Sequence, residues 1–85
     1  MKHASPAALD ALDPLLVELR ALPGLTEKSR GVFYRKGRAF LHFHEDPKGL
    51  FADVRDAEGR GFERIDVTEL AGQTVLLAAA TTRSA

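Results

Sequence analysis

The sequence predicts an α+β fold: an N-terminal helix, a four-stranded antiparallel meander sheet and a C-terminal helix. Three observations lead there. Leu9, Leu12, Leu16, Leu19 and Leu22 recur at three- and four-residue spacing ahead of a Pro23-Gly24 stop. Between residues 31 and 67, short apolar–polar alternations are separated by turn residues at regular intervals. From Asp66 onward, leucine and alanine return at helical spacing.

The first helix has a good start in Ser5-Pro6, where serine can cap and proline fits the first helical position. Pro14 complicates its interior, because proline cannot bond to the Asp10 carbonyl and would kink the chain. Asp13-Pro14 can instead open a fresh helix running from Pro14 to Leu22. The strands follow as Val32 to Arg35, Arg38 to Glu45, Leu50 to Arg55 and Arg60 to Val67. Lys36-Gly37 joins the first two as a two-residue turn. Asp46-Pro47-Lys48-Gly49 carries the residues of a type I turn, and Asp56-Ala57-Glu58-Gly59 supplies the next turn. In the last segment, Asp66 with Glu69 resembles a capping box, although Thr68 could cap instead. Leu70, Ala71, Thr74, Leu77 and Ala78 fit one helical face. Gly72 weakens that helix, and Thr74 to Leu77 could also form a strand.

Register decides which side chains share a face. With Asp46 opposite Gly49, Leu41 faces Val54 and Phe43 faces Ala52, giving one apolar face. The other face then carries Phe40 opposite Arg55, His42 opposite Asp53, and His44 opposite Phe51. Slipping by one residue would mix the two sets. Two helices can cover one face of such a sheet, so the second is expected to stay open or to meet a partner.

Composition bounds the remaining possibilities. Eighty-five residues, 45% hydrophobic and 28% charged, describe one small domain spanning 1–85. Residues 1–5 and 81–85 are expected to be flexible. There is no cysteine, so neither disulfides nor thiolate metal sites can support the fold. The opening residues do not read as a signal peptide, and no apolar run approaches the roughly 18 residues of a membrane span. A cytoplasmic protein without a membrane partner is expected. Twelve basic and twelve acidic residues balance, so the general positive excess of a nucleic-acid binder is missing.

Three features remain as candidate sites. His42 and His44 occupy alternate strand positions and share a face with Asp53, a set that could ligate zinc or pair a general base with its orienting acid. The commonest reason for such a pattern is a solvated polar face with a cross-strand contact. The basic stretch Lys28, Arg30, Arg35, Lys36 and Arg38 is interleaved with Phe33 and Tyr34, as in surfaces that hold single-stranded nucleic acid. Basic edge strands also serve simply to discourage aggregation. Phe40 and Phe51 would lie beside the histidines, and large apolar groups left open together mark an interface, a homodimer being the simplest. No phosphate-cradling glycine loop, nucleophile elbow or activated serine is present, so no enzyme and no cofactor is expected.

Leu22-Pro23-Gly24-Leu25-Thr26-Glu27, Val32-Phe33-Tyr34-Arg35, Gly37-Arg38-Ala39-Phe40 and Leu50-Phe51-Ala52-Asp53-Val54 together resemble the opening half of the YjbR/MmcQ-like bacterial domains. The resemblance covers roughly residues 15–55. It implies helices packed on one antiparallel sheet and a DNA-binding role, with no catalytic residues to carry over. The chain is shorter than that pattern and lacks its aromatic-rich C-terminal strand. The reading that follows is a small binding or interaction module. It would use the sheet face around Phe40, His42, His44, Phe51 and Asp53. Nucleic-acid binding through 28–38, or metal binding or catalysis by His42, His44 and Asp53, are the alternatives.

Overall fold

A computed structural model describes residues 2–85. The chain is α+β, with an antiparallel sheet and helices. Its elements run β1 (Lys2–His3), α1 (Pro6–Ala11), α2 (Asp13–Arg20), β2 (Thr26–Ser29), β3 (Val32–Arg35), β4 (Arg38–Asp46), β5 (Gly49–Arg55), β6 (Phe62–Asp66) and α3 (Leu70–Arg83). The sheet order is β2-β3-β4-β5-β6, a meander in which each strand pairs with the next. The four expected strands are β3 to β6. Two more were unforeseen: β2, which pairs with β3, and β1, which pairs with the far end of β4.

The leucine-rich N-terminal segment is two helices, because Pro14 cannot continue the first. Ser5 caps α1, its hydroxyl accepting the Ala8 N–H at 3.2 Å. Leu12 leaves helical geometry (φ −93°, ψ 4°), and α2 begins with Asp13 and Pro14, where a missing N–H costs nothing. Leu9, Leu12, Leu15, Leu16 and Leu19 are all buried.

The β4–β5 hairpin has the expected register throughout, from Asp46 opposite Gly49 to Leu41 opposite Val54. Local chemistry fixes it. The Asp46 carboxylate accepts the Lys48 N–H at 2.9 Å, and Gly49 takes φ 148°, a value that favours glycine. At the Lys36-Gly37 turn both residues have positive φ (52° and 79°), as a type I′ hairpin requires.

Three details depart from expectation. The Asp56 turn is longer than four residues: Arg55 pairs with Phe62, so residues 56–61 form the loop and β6 starts at Phe62. Asp56 organises it, its carboxylate accepting the N–H groups of Arg60 and Gly61, both at 3.0 Å. The capping box at Asp66 does not form. Asp66 accepts the Thr68 N–H, Thr68 ties the loop to Leu50, and α3 begins after Glu69 without a side-chain cap. Finally, α3 turns a different face inward. Leu76 and Ala80 are buried while Leu70, Ala71, Thr74 and Ala78 are exposed.

Gly72 explains that rotation. A Cβ there would lie 1.9 Å from the Asp66 carbonyl oxygen, so the helix sits directly on the end of β6. Only the stripe through Gly72, Leu76 and Ala80 permits this approach. Of the ends expected to be flexible, the first supplies β1, and the second holds the last turn of α3 with Ser84 buried behind it.

The helices bury their apolar side chains against one face of the sheet, over Phe33, Leu41, Phe43, Ala52, Val54 and Ile65. His42, His44 and Asp53 belong to the opposite face, because strand residues alternate. No helix is long and apolar enough to cross a membrane.

Candidate metal-binding site

The polar face is built by β4, β5 and β6, with β1 alongside the end of β4. His42, Asp53 and Arg64 form one cross-strand row, since His42 pairs with Asp53 and Asp53 with Arg64. His3, His44, Phe51 and Asp66 form the next row. His42 and His44 thereby meet at one carboxylate, with the His3 ring beside them.

Asp53 is the centre. Arg64 donates to it through two bonds, Nε to Oδ1 at 2.8 Å and Nη2 to Oδ2 at 2.9 Å. Oδ2 also lies 3.1 Å from His44 Nε2 and 3.5 Å from His42 Nε2. The bidentate guanidinium holds the Asp53 carboxyl below its ordinary range against the opposing effect of burial. Burial, reinforced by the neighbouring His44, lowers the pKa of His42 although Asp53 pulls the other way.

The rings pack as a cluster. His42 and His44 meet edge to face with centroids 4.8 Å apart, and His3 stacks on His44 at 5.4 Å. Phe62 closes the other side, 5.3 Å from His42, and the Arg55 guanidinium covers Phe62 at 4.3 Å. His44 Nδ1 is buried without a hydrogen-bond partner among the described residues.

The donor atoms of His42, His44 and Asp53 all lie within 4.8 Å of one another. Tetrahedral ligands about 2.1 Å from a zinc ion are separated by about 3.4 Å, close to both His–Asp distances observed. A metal would have to loosen part of the Arg64 clamp, and the Arg64 side chain, 51% exposed, has solvent to move into.

Not every expected site residue lies here. Phe40 belongs to the core, 3% exposed. The β3–β4 register shifts between Phe33–Leu41 and Tyr34–Ala39, leaving Phe40 as the extra residue of a bulge that re-aims its side chain. Nor does Phe40 face Arg55, because the β4–β5 pairing ends at Leu41 and the Arg55 guanidinium reaches the Ala39 carbonyl. Phe51 is half-buried, in register between His44 and Asp66.

The basic stretch divides between the two ends of β3. Arg30 bonds Asp10 and Asp13 of the N-terminal helices, at 2.8 and 3.5 Å, and Lys28 covers the Tyr34 ring. Arg35, Lys36 and Arg38 gather at the other end, around the turn between β3 and β4.

His3, Arg64 and Phe62 are members of the cluster that sequence reasoning missed. A four-residue turn at 56–59 would have set Asp53 opposite Phe62; the six-residue loop brings Arg64 there instead. The shift is two residues, so the face is preserved and only the partner changes. His3 gave no local signal, because its partner lies about forty residues away in a two-residue ladder.

Compared with models of known protein families, with curated proteins and with solved structures, the chain matches none.

Proposed function

We propose that this chain is a small binding module whose helix-free sheet face is its recognition surface. Its ligand is a divalent transition-metal ion held by His42, His44 and Asp53. The convergence of three donor atoms within 4.8 Å on neighbouring strands carries this reading. Imidazole and carboxylate are the donors such ions take, and a pleated sheet holds them in fixed relation. Binding is favoured over catalysis by the state of Asp53. With Arg64 on both of its oxygens it is a poor proton acceptor, which argues against a general base. The same face leaves Phe62, 43% exposed, at its rim, so a second copy of the chain could share the ion.

Thermal melting with zinc tests the proposal, since a ligand that binds only the folded state raises the melting temperature. Zinc should raise that of the wild type and should have no effect on a His42→Ala/His44→Ala variant. Cobalt should give the visible absorption of a tetrahedral site in the wild type alone. Sedimentation with and without zinc reports whether the ion is shared between copies. No shift at tenfold excess zinc, or a shift that persists in the double variant, would remove the metal site.

A further inference from the structure

A second concave surface lies beyond the histidine cluster. A groove of about 480 Å³ opens between the Lys36-Gly37 turn, the 56–61 loop and the last turn of α3. Five cations line it: Arg35, Lys36, Arg38, Arg55 and Arg83. They come from four elements and one turn, so only the folded chain brings them together. In a chain of zero net charge this is a marked local concentration.

What holds these cations matters more than their number. Arg35 donates to the Ser84 carbonyl and to the terminal Ala85 oxygen, Arg38 to the carbonyl of Gly59, and Arg55 to that of Ala39. Arg38 and Arg55 are thus anchored by neutral carbonyls that fix their direction without cancelling their charge. Arg83 meets the Glu63 carboxylate at 2.8 Å and also donates to the Arg55 carbonyl. The groove's own two acids offset part of this charge and leave five cations against two anions in its lining. Asp56 is turned onto the N–H groups of its own loop, and Glu58 makes no ion pair among the described residues.

Positioned guanidiniums facing one space from several directions suit an anion whose oxygens also point in several directions. That describes a phosphoryl group or a polyphosphate better than a planar carboxylate. The volume falls within the range of small-molecule pockets, and Ala39 and Ala57 supply apolar surface. We propose that this groove binds a phosphate-bearing small molecule of nucleotide size, with its phosphates toward Arg35, Lys36 and Arg38. The groove shares Arg55 with the edge of the histidine cluster, where it covers Phe62, and does not depend on a metal there.

Calorimetric titration with adenosine triphosphate, pyrophosphate and adenosine tests this, in chelator at about 150 mM salt, where diffuse surface attraction is largely screened. Adenosine triphosphate should bind, pyrophosphate more weakly, and adenosine not at all. Lys36→Gln/Arg38→Gln should weaken the nucleotide at least tenfold. Arg30→Gln removes a charge from the same stretch of sequence but outside the groove, and should change nothing. Both sites are exposed, and an unchanged melting temperature verifies the fold. As a measurement on the wild type alone, amide shifts on adding the nucleotide should cluster at Gly37, Gly59 and Thr82. No binding at millimolar nucleotide, an equal loss in Arg30→Gln, or a short oligothymidylate binding more tightly than the nucleotide would each overturn the proposal. The last would reassign the surface to single-stranded nucleic acid.

Discussion

Asp53 has two oxygens and more donors than they can serve equally. Arg64 takes one bond on each, His44 has a close approach to Oδ2, and His42 a looser one. A divalent ion at this point would compete with the guanidinium for the same oxygen and would be repelled by its charge. Arg64→Ala should therefore tighten zinc binding, by roughly three- to tenfold, while Asp53→Ala should abolish it. Calorimetry on the two variants decides the matter: a loss in Arg64→Ala as large as that in Asp53→Ala would mean that the arginine supports the donors. The two phenylalanines once expected to share this face make a second comparison. Phe40 is enclosed in the core, so Phe40→Ala should cost about 3–5 kcal/mol. Phe51 is half-buried on the polar face, and Phe51→Ala should cost about 1 kcal/mol. Urea denaturation measures both, and equal losses would contradict the bulge that separates them.

Among the elements, the β4–β5 hairpin was legible because two independent signals agreed. Asp46 and Gly49 define a tight turn, and the same register segregates Leu41, Phe43, Ala52 and Val54 from the polar set. Where only one signal existed, reading failed. Phe40 and Leu41 are adjacent apolar residues, so alternation alone does not reveal a bulge at their junction. The 56–59 segment has turn residues, but they do not announce that the Asp56 carboxylate organises a six-residue loop. Pairing by β1 is a long-range contact with no periodicity to expose it. The inward face of α3 was missed for a further reason. Gly72 reads as a defect by helix propensity, since alanine is better by about 1 kcal/mol in an exposed helix. Packing reverses this, because the added methyl group would meet the Asp66 carbonyl at 1.9 Å. Overpacking of that kind costs about 1–3 kcal/mol or more. Gly72→Ala should accordingly lower the urea midpoint. A stabilised variant would show that α3 does not sit so closely on the end of β6.

Across the whole molecule, several carboxylates outside the histidine cluster bind donors that favour their charged form. Glu27 receives the Arg20 guanidinium, at 2.5 and 3.1 Å, and the Gly31 N–H at 2.9 Å, which together hold its carboxyl below the ordinary value against burial. Asp56 and Asp66 are lowered in the same direction by the bonds they accept within their own loops. A carboxyl whose folded pKa is depressed contributes stability above its unfolded pKa, and loses it as pH falls through the folded one. The stability these carboxylates supply should therefore hold from neutral pH down to about pH 4.5 and be lost below, through the ordinary carboxylate range. Protonation also unbalances a chain of twelve acids and twelve bases, so repulsion among the cations adds to the loss. Glu27→Gln isolates the first effect, because glutamine still offers an oxygen to Gly31 while its charge is gone. With Arg20 39% exposed, the penalty at pH 7 should be modest, about 0.5–1 kcal/mol. The gap between the two proteins should narrow as pH falls through the lowered carboxyl range of Glu27, because the wild-type side chain then becomes protonated as well. Urea midpoints at pH 7 and at successively lower pH give the result. A gap that stays constant with pH would mean that Glu27 acts by shape and not by charge.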